Sequence, residues 1–89
     1  KIDMPNAFTP NGDGRNDYFA PVTMTDMRIT QFSIYNRWGK LVYKGFGNGV
    51  SWDGKLNGKD LAQGIYNYII EYHCNGEQSS TKGDVLLMR

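Results

Sequence analysis

No stretch of this chain sustains the apolar period of a helix. What recurs is a short run of alternating apolar and polar residues closed by a turn signal, and that pattern confines the chain to β structure. Residues 28–38 are the clearest case: Phe32, Ile34 and Trp38 fall on one side of an extended chain, and Gln31, Ser33, Tyr35 and Arg37 on the other. Asn36 interrupts the apolar side where a connection begins. Residues 36–40 then read as a hairpin connection in which Gly39 supplies the left-handed residue, and residues 41–44 pair back. Gly64 precedes a second long strand with Tyr66, Tyr68, Ile70 and Tyr72 on one side and Ile65 and Ile69 on the other, expected to be central and covered on both faces. Residues 79–89 close the chain, with Val85 and Leu87 opposite Leu86 and Met88. Asn57–Gly58 and Asn75–Gly76 are hairpin turn signals, and eleven glycines beside six tyrosines, four phenylalanines and two tryptophans suit a β protein rich in tight turns. The expectation is one domain over residues 1–89: an all-β, antiparallel, immunoglobulin-like β-sandwich of six to seven short strands.

The most distinctive connection is NAFTPNGDGRNDY, residues 6–18. Phe8 ends an apolar entry, and Pro10 fixes its own φ while biasing Thr9 toward extended geometry. Gly12 and Gly14 tolerate positive φ, and Asn11, Asp13, Asn16 and Asp17 hydrogen-bond the backbone of tight turns. Pro5 places the strand before this loop at a sheet edge. Further on, residues 45–50 form a glycine-rich loop, Trp52 is expected to lie across the core, and Asp53 to hydrogen-bond the turn beginning at Gly54.

Several function classes recede on composition. A net charge of +1, with ten basic and nine acidic residues spread along the chain, argues against nucleic acid or an anionic membrane as main partner. No apolar run is long enough to span or insert into a membrane. The chain shows no signal peptide and starts at Lys1 in mid-pattern, as a piece of a longer protein would. Its one cysteine, Cys74, reads as a partly buried small side chain. His73, the one histidine, has neither a nucleophile nor an orienting carboxylate beside it other than Glu71, and no zinc-spaced cluster, phosphate-cradling loop or nucleophile elbow is present. An enzyme is not expected.

Two binding readings stand against structural ones. Set on a calcium loop, Asn11, Asp13, the carbonyl of Arg15 and Asp17 take ligand positions around Gly14, but the first and last ligand positions fall on Thr9 and Ala20. The missing carboxylates leave at most a weak Ca2+ site, and an Asx-rich turn binding its own backbone is the simpler account; otherwise no cofactor is expected. Tyr35, Tyr43, Tyr66, Tyr68 and Tyr72 could line a carbohydrate face, yet such rings more often fill a small sandwich core with hydroxyls at the rim.

NAFTPNGDGRND, preceded by Met4–Pro5, resembles the opening motif of the gliding-motility-associated C-terminal domain, the type B sorting domain of the type IX secretion system of Bacteroidetes-type bacteria. IYNRWGKLVY is similar to its second signature, WDGKLNGKDLAQGIYNYIIEY to its third, and KGDVLLMR to its last. The third block also resembles the immunoglobulin-like domain of flagellar hook-capping proteins. The resemblance implies a non-enzymatic secretion signal that directs a larger, N-terminally fused cargo across the outer membrane, through the type IX translocon and with a small outer-membrane barrel protein as companion. The parent would pass through the periplasm to the cell surface or medium. Residues Lys82, Gly83, Asp84, Val85, Leu86, Leu87, Met88 and Arg89 are then the candidate recognition segment, an edge strand offering unpaired backbone to a partner, with Arg89 keeping that end soluble. The motif residues Phe8, Pro10, Gly12, Gly14, Trp38, Gly39, Trp52, Asp53, Gly54, Gly64 and Tyr66 would shape the fold. An adhesive or carbohydrate-binding sandwich, with or without the aid of calcium, is the alternative.

Overall fold

The computed structural model describes residues 4–10, 12, 17–22 and 27–89, and every regular element among them is a strand. These are β1 (Ala7–Phe8), β2 (Met27–Tyr35), β3 (Leu41–Gly45), β4 (Lys55–Leu56), β5 (Lys59–Asp60), β6 (Gly64–Cys74) and β7 (Glu77–Leu87). Five of them form one sheet in the order β1-β7-β6-β2-β3, and β4 and β5 pair by themselves. The hairpin partners β2–β3 and β6–β7 are antiparallel, as is β2–β6. The sheet is nonetheless mixed rather than purely antiparallel, because β1 runs parallel to β7, with Ala7 opposite Leu86 and Phe8 opposite Leu87. No tight turn joins the first strand to the last, so nothing forces their directions to oppose.

The two Asn-Gly pairs make the turns that their chemistry predicts. Asn57 and Gly58 have φ of 54° and 80°, Asn75 and Gly76 of 52° and 82°, so both central residues are left-handed in each hairpin. These turns fix the register of β4 on β5 and of the long β6–β7 ladder.

Inward-facing side chains of the sheet meet a second layer built from less regular chain. Phe19 and Trp52 form an isolated antiparallel bridge with hydrogen bonds of 2.8 and 2.9 Å, and Leu56 and Leu61 of the β4–β5 hairpin pack against the same core. Rings then run in contact through the interior: Trp52 lies 5.1 Å from Tyr66 and 5.5 Å from Phe8, and Phe19 lies 5.4–5.9 Å from Phe8, Phe32 and Tyr68. Trp52 is 1% exposed, and its indole N–H donates to the Lys55 carbonyl at 3.1 Å, so burial leaves no polar atom unpaired.

Three expectations need correction. Trp38 does not share the core face with Phe32 and Ile34 but is 76% exposed. Alternation persists only while the backbone stays extended; β2 ends at Tyr35, where Asn36 Oδ1 accepts the N–H groups of Trp38 and Lys40, each at 2.9 Å, and starts the turn. The long strand β6 is central, but only one face is fully covered: Tyr66, Tyr68 and Ile70 are buried, whereas Ile65 is 51% exposed. The second layer lies on one side of the sheet. Ser33, a polar-face position, is buried because Gln31 lies over it and donates to its hydroxyl at 3.2 Å.

A further device had no sequence signal. Past the end of β3, Asn48 takes the place of a strand neighbour: its Oδ1 accepts Ile29 N–H at 2.7 Å and its Nδ2 donates to the Met27 carbonyl at 2.8 Å. The buried start of β2 is thereby satisfied.

Replacing Trp52 by Ala removes the largest buried side chain together with its hydrogen bond, and is expected to cost about 3–5 kcal/mol. Urea unfolding measures this; a loss below about 1 kcal/mol would mean that the second layer is not held by this ring.

Candidate functional site

The segment 82–89 lies in β7 and just beyond it, and the structure divides its residues between two tasks. Val85 and Leu87 are fully buried, opposite Tyr66 and Gly64 on β6. Gly83 lies beneath Tyr68, where an added Cβ would come 2.6 Å from the hydroxyl oxygen. Lys82, Asp84, Leu86 and Met88 point away from the core, with Leu86 half covered.

The outer edge of β7 is open only in part. Leu86 N–H donates to the Asn6 carbonyl at 2.9 Å and Met88 N–H to the Phe8 carbonyl at 3.0 Å, so β1 occupies the end of the strand. Among the described residues nothing pairs with that edge between Glu77 and Asp84. Backbone pairing by a partner is therefore limited to the polar stretch EQSSTKGD and does not extend to the apolar end.

Arg89 is not a mere solubilising charge. Its Nε donates to the Leu61 carbonyl and its Nη2 to the Gly54 carbonyl, both at 2.9 Å, while Nη1 stands 3.6 Å from Asp60 Oδ1. The backbone N–H of Arg89 also donates to Gln63 Oε1 at 3.2 Å. The planar guanidinium thus clamps the base of the β4–β5 hairpin to the end of β7. Gly54 leaves room for it: at φ +78°, an added Cβ would meet Leu87 and Pro10 at 3.2 Å and the guanidinium at 3.3 Å. Phe8, Pro10, Trp52, Gly54 and Tyr66 of the motif set are therefore neighbours of one junction. Asp53 supports it locally by accepting Lys55 N–H at 3.0 Å.

Of the proposed calcium ligands, Asn11, Asp13 and Arg15 lie outside the described residues, as does Gly14. Asp17 is described, and its Oδ1 accepts Gly12 N–H at 3.0 Å, the kind of bond an Asx-rich turn makes. Among the described residues no three His, Cys, Asp or Glu side chains gather as metal ligands would.

The 36–40 turn forms a separate feature. Besides the two bonds to Asn36 Oδ1, Asn36 N–H donates to the Lys40 carbonyl and Gly39 N–H to the Asn36 carbonyl, both at 2.9 Å, with Gly39 at φ +83°. Arg37 lies over the Trp38 ring, its guanidinium carbon 4.3 Å from the centroid. Trp38 shares a depression of about 110 Å³ with Gly64, Ile65 and Tyr66, and Gly39 borders a larger hollow of about 420 Å³ with Lys82, Gly83 and Asp84. The turn and the closing strand thus present a continuous surface. Of the tyrosines considered as a sugar platform, Tyr66 and Tyr68 are buried and Tyr43 and Tyr72 pack against the core.

A family model described as the CHU_C Type IX secretion signal domain matches residues 2–87. The chain belongs to this family. A type IX secretion signal domain is a sorting tag: it is recognised by the type IX system and directs the protein fused to it through the outer membrane. No curated protein and no solved structure matches the chain. The closing strand of this all-β signal domain lies inside the main sheet, between β1 and β6.

The family signatures announced where Trp52 and the NRWG turn stand, but not which tryptophan would be displayed. Nor did any pattern mark Phe19 or the Arg89 clamp, since both depend on contacts between distant parts of the chain.

Two outcomes follow for this signal domain. Arg89→Ala should destabilise it by about 1–3 kcal/mol, with Arg89→Lys recovering little because an ammonium cannot reach both carbonyls as a fork. Hydrogen exchange at Leu61 N–H, which donates to the Gly54 carbonyl, should accelerate in both variants; unchanged exchange would refute the clamp. Separately, burial raises the Tyr66 hydroxyl above its ordinary range, with Arg89 and then Arg37 opposing, and burial followed by the Asp84 carboxylate raises Tyr68. A raised folded value means stability that is complete below the ordinary tyrosine pKa near 10 and lost as pH climbs through the folded values. Urea midpoints should therefore hold steady from about pH 8 and fall above about pH 10, and the fall should shrink in the Tyr66→Phe/Tyr68→Phe double variant. An equally steep fall in that variant would disprove the assignment.

Proposed function

We propose that residues 1–89 are a single C-terminal sorting domain without catalytic activity, carried behind a larger cargo and read by the type IX translocon as a folded object. In this reading the parent folds in the periplasm, engages the translocon together with an outer-membrane barrel companion, and ends at the cell surface or in the medium. No cofactor takes part. The outward side chains of the closing segment, Lys82, Asp84, Leu86 and Met88, contribute to recognition, while Gly83, Val85, Leu87 and Arg89 hold that segment in place.

The observation that carries this reading is the family match over residues 2–87, which takes in both the loop and the closing strand. The way β7 is held supports a folded signal. Its buried residues, its pairing to β1 and β6, and the Arg89 clamp all fail together if the domain unfolds.

The test is a graft. The 89 residues fused behind a foreign periplasmic reporter, in a bacterium with a type IX system, should deliver the reporter outside the cell. The same fusion carrying Trp52→Ala should leave it in the periplasm. A wild-type fusion retained inside would overturn the sorting role, and equal export of the variant, with its domain shown by circular dichroism to be unfolded, would overturn recognition of a folded surface.

A further inference from the structure

Trp38 is the most exposed large apolar side chain among the described residues, at 76%, in a domain that buries its other tryptophan almost completely. Nothing in the packing requires it there. The turn that carries it is held by four hydrogen bonds centred on Asn36, so the indole stands on a rigid mount. One face of the ring carries Arg37, and beside it lies the depression shared with Ile65, itself half exposed. An exposed tryptophan, a stacked arginine and a neighbouring apolar hollow on a rigid frame have the composition of a binding hot spot, with little ordering entropy left to lose on association.

Charge indicates what fits. Arg37 lies over the indole and Lys40 belongs to the same turn, and among the described residues neither forms an ion pair; the one such pair, Arg89–Asp60, is already self-neutralised. In the adjoining hollow Lys82 and Asp84 offset each other. The surface is therefore cationic around an apolar anchor, and its complement is a protein surface with carboxylates rimming an apolar cleft. A sugar ligand would want convergent polar groups around the ring, whereas Arg37 stacked on the indole and the apolar Ile65 favour a protein.

We propose that the Arg37–Trp38 turn is the anchor by which the secretion machinery holds this domain, with Trp38 seated in an apolar cleft of an acidic partner protein and Ile65 receiving an apolar side chain from it. The proposal rests on the sorting role and extends it by placing the anchor outside the closing segment. It adjoins that segment through the hollow bordered by Gly39 and Asp84.

The reporter fusion tests it with Trp38→Ala and with the exposed charge reversal Arg37→Glu/Lys40→Glu, alongside thermal melting of each purified domain. Export should fall roughly tenfold or more in both variants, with melting temperatures unchanged. Wild-type export with normal export of the two variants would remove the anchor and leave the sorting role intact; failure of the wild-type fusion would remove both. Should Trp38→Ala melt early, the charge-reversal variant decides alone. A photo-reactive residue replacing Lys40 should give protease-sensitive adducts, and adducts only with lipid or polysaccharide would overturn a protein partner.

Discussion

The isolated bridge between Phe19 and Trp52 is the interaction on which the rest of the structure depends. A single five-stranded sheet has one apolar face to bury, and among the described residues there is no second sheet of comparable size to cover it. Two reciprocal hydrogen bonds hold the segments near residues 19 and 52 side by side, so that two large rings lie over the sheet at once. Phe19 spans from Phe8 through Phe32 to Tyr68, and Trp52 spans from Phe8 to Tyr66, which ties the two rings to three of the five sheet strands, β1, β2 and β6. In a domain this small, aromatic area concentrated in two residues does what a full second sheet does in a larger sandwich.

The Arg89 clamp extends the same logic to the end of the chain. The β4–β5 hairpin has two-residue strands and would not persist alone. Leu56 and Leu61 give it some apolar contact, and Arg89 supplies directional bonds to carbonyls at both ends of it. Leu87, Pro10 and Arg89 converge around Gly54, where an added Cβ would touch all three, and this brings three of the family-like sequence blocks to one point. That convergence gives a physical reason for a motif set scattered along the chain.

Much of this was legible from the sequence where a local rule decides the structure. Both Asn-Gly turns, the alternation of β7 and the burial of Trp52 follow from turn stereochemistry, period-2 patterning and size. The failures share a cause. Trp38 falls inward only if the alternation is carried through a turn, and Asn36, the polar residue on an apolar side, is where the strand ends. The parallel pairing of β1, the bridge at Phe19, the Asn48 amide standing in for a strand, and the carbonyls chosen by Arg89 all join residues far apart in sequence, and no local period encodes such choices.

The edges of the sheet bear on how such a domain can be read without sticking to its neighbours. An open strand edge is a template for any extended chain, and a secreted cargo passes many of them. Here β1 covers the apolar end of β7, and the stretch left open is serine-, threonine- and charge-rich, so its pairing with an arbitrary strand would gain little from side chains. Selectivity then has to come from groups that are fixed in place and not satisfied internally. The turn bearing Arg37 and Trp38 meets both conditions: its backbone hydrogen bonds are internal and complete, while its ring and charges are left to the outside. A fold that covers the apolar end of its closing strand, leaves only a polar stretch of that strand open and displays a rigid aromatic anchor is better suited to a specific receptor than to promiscuous strand addition along that strand.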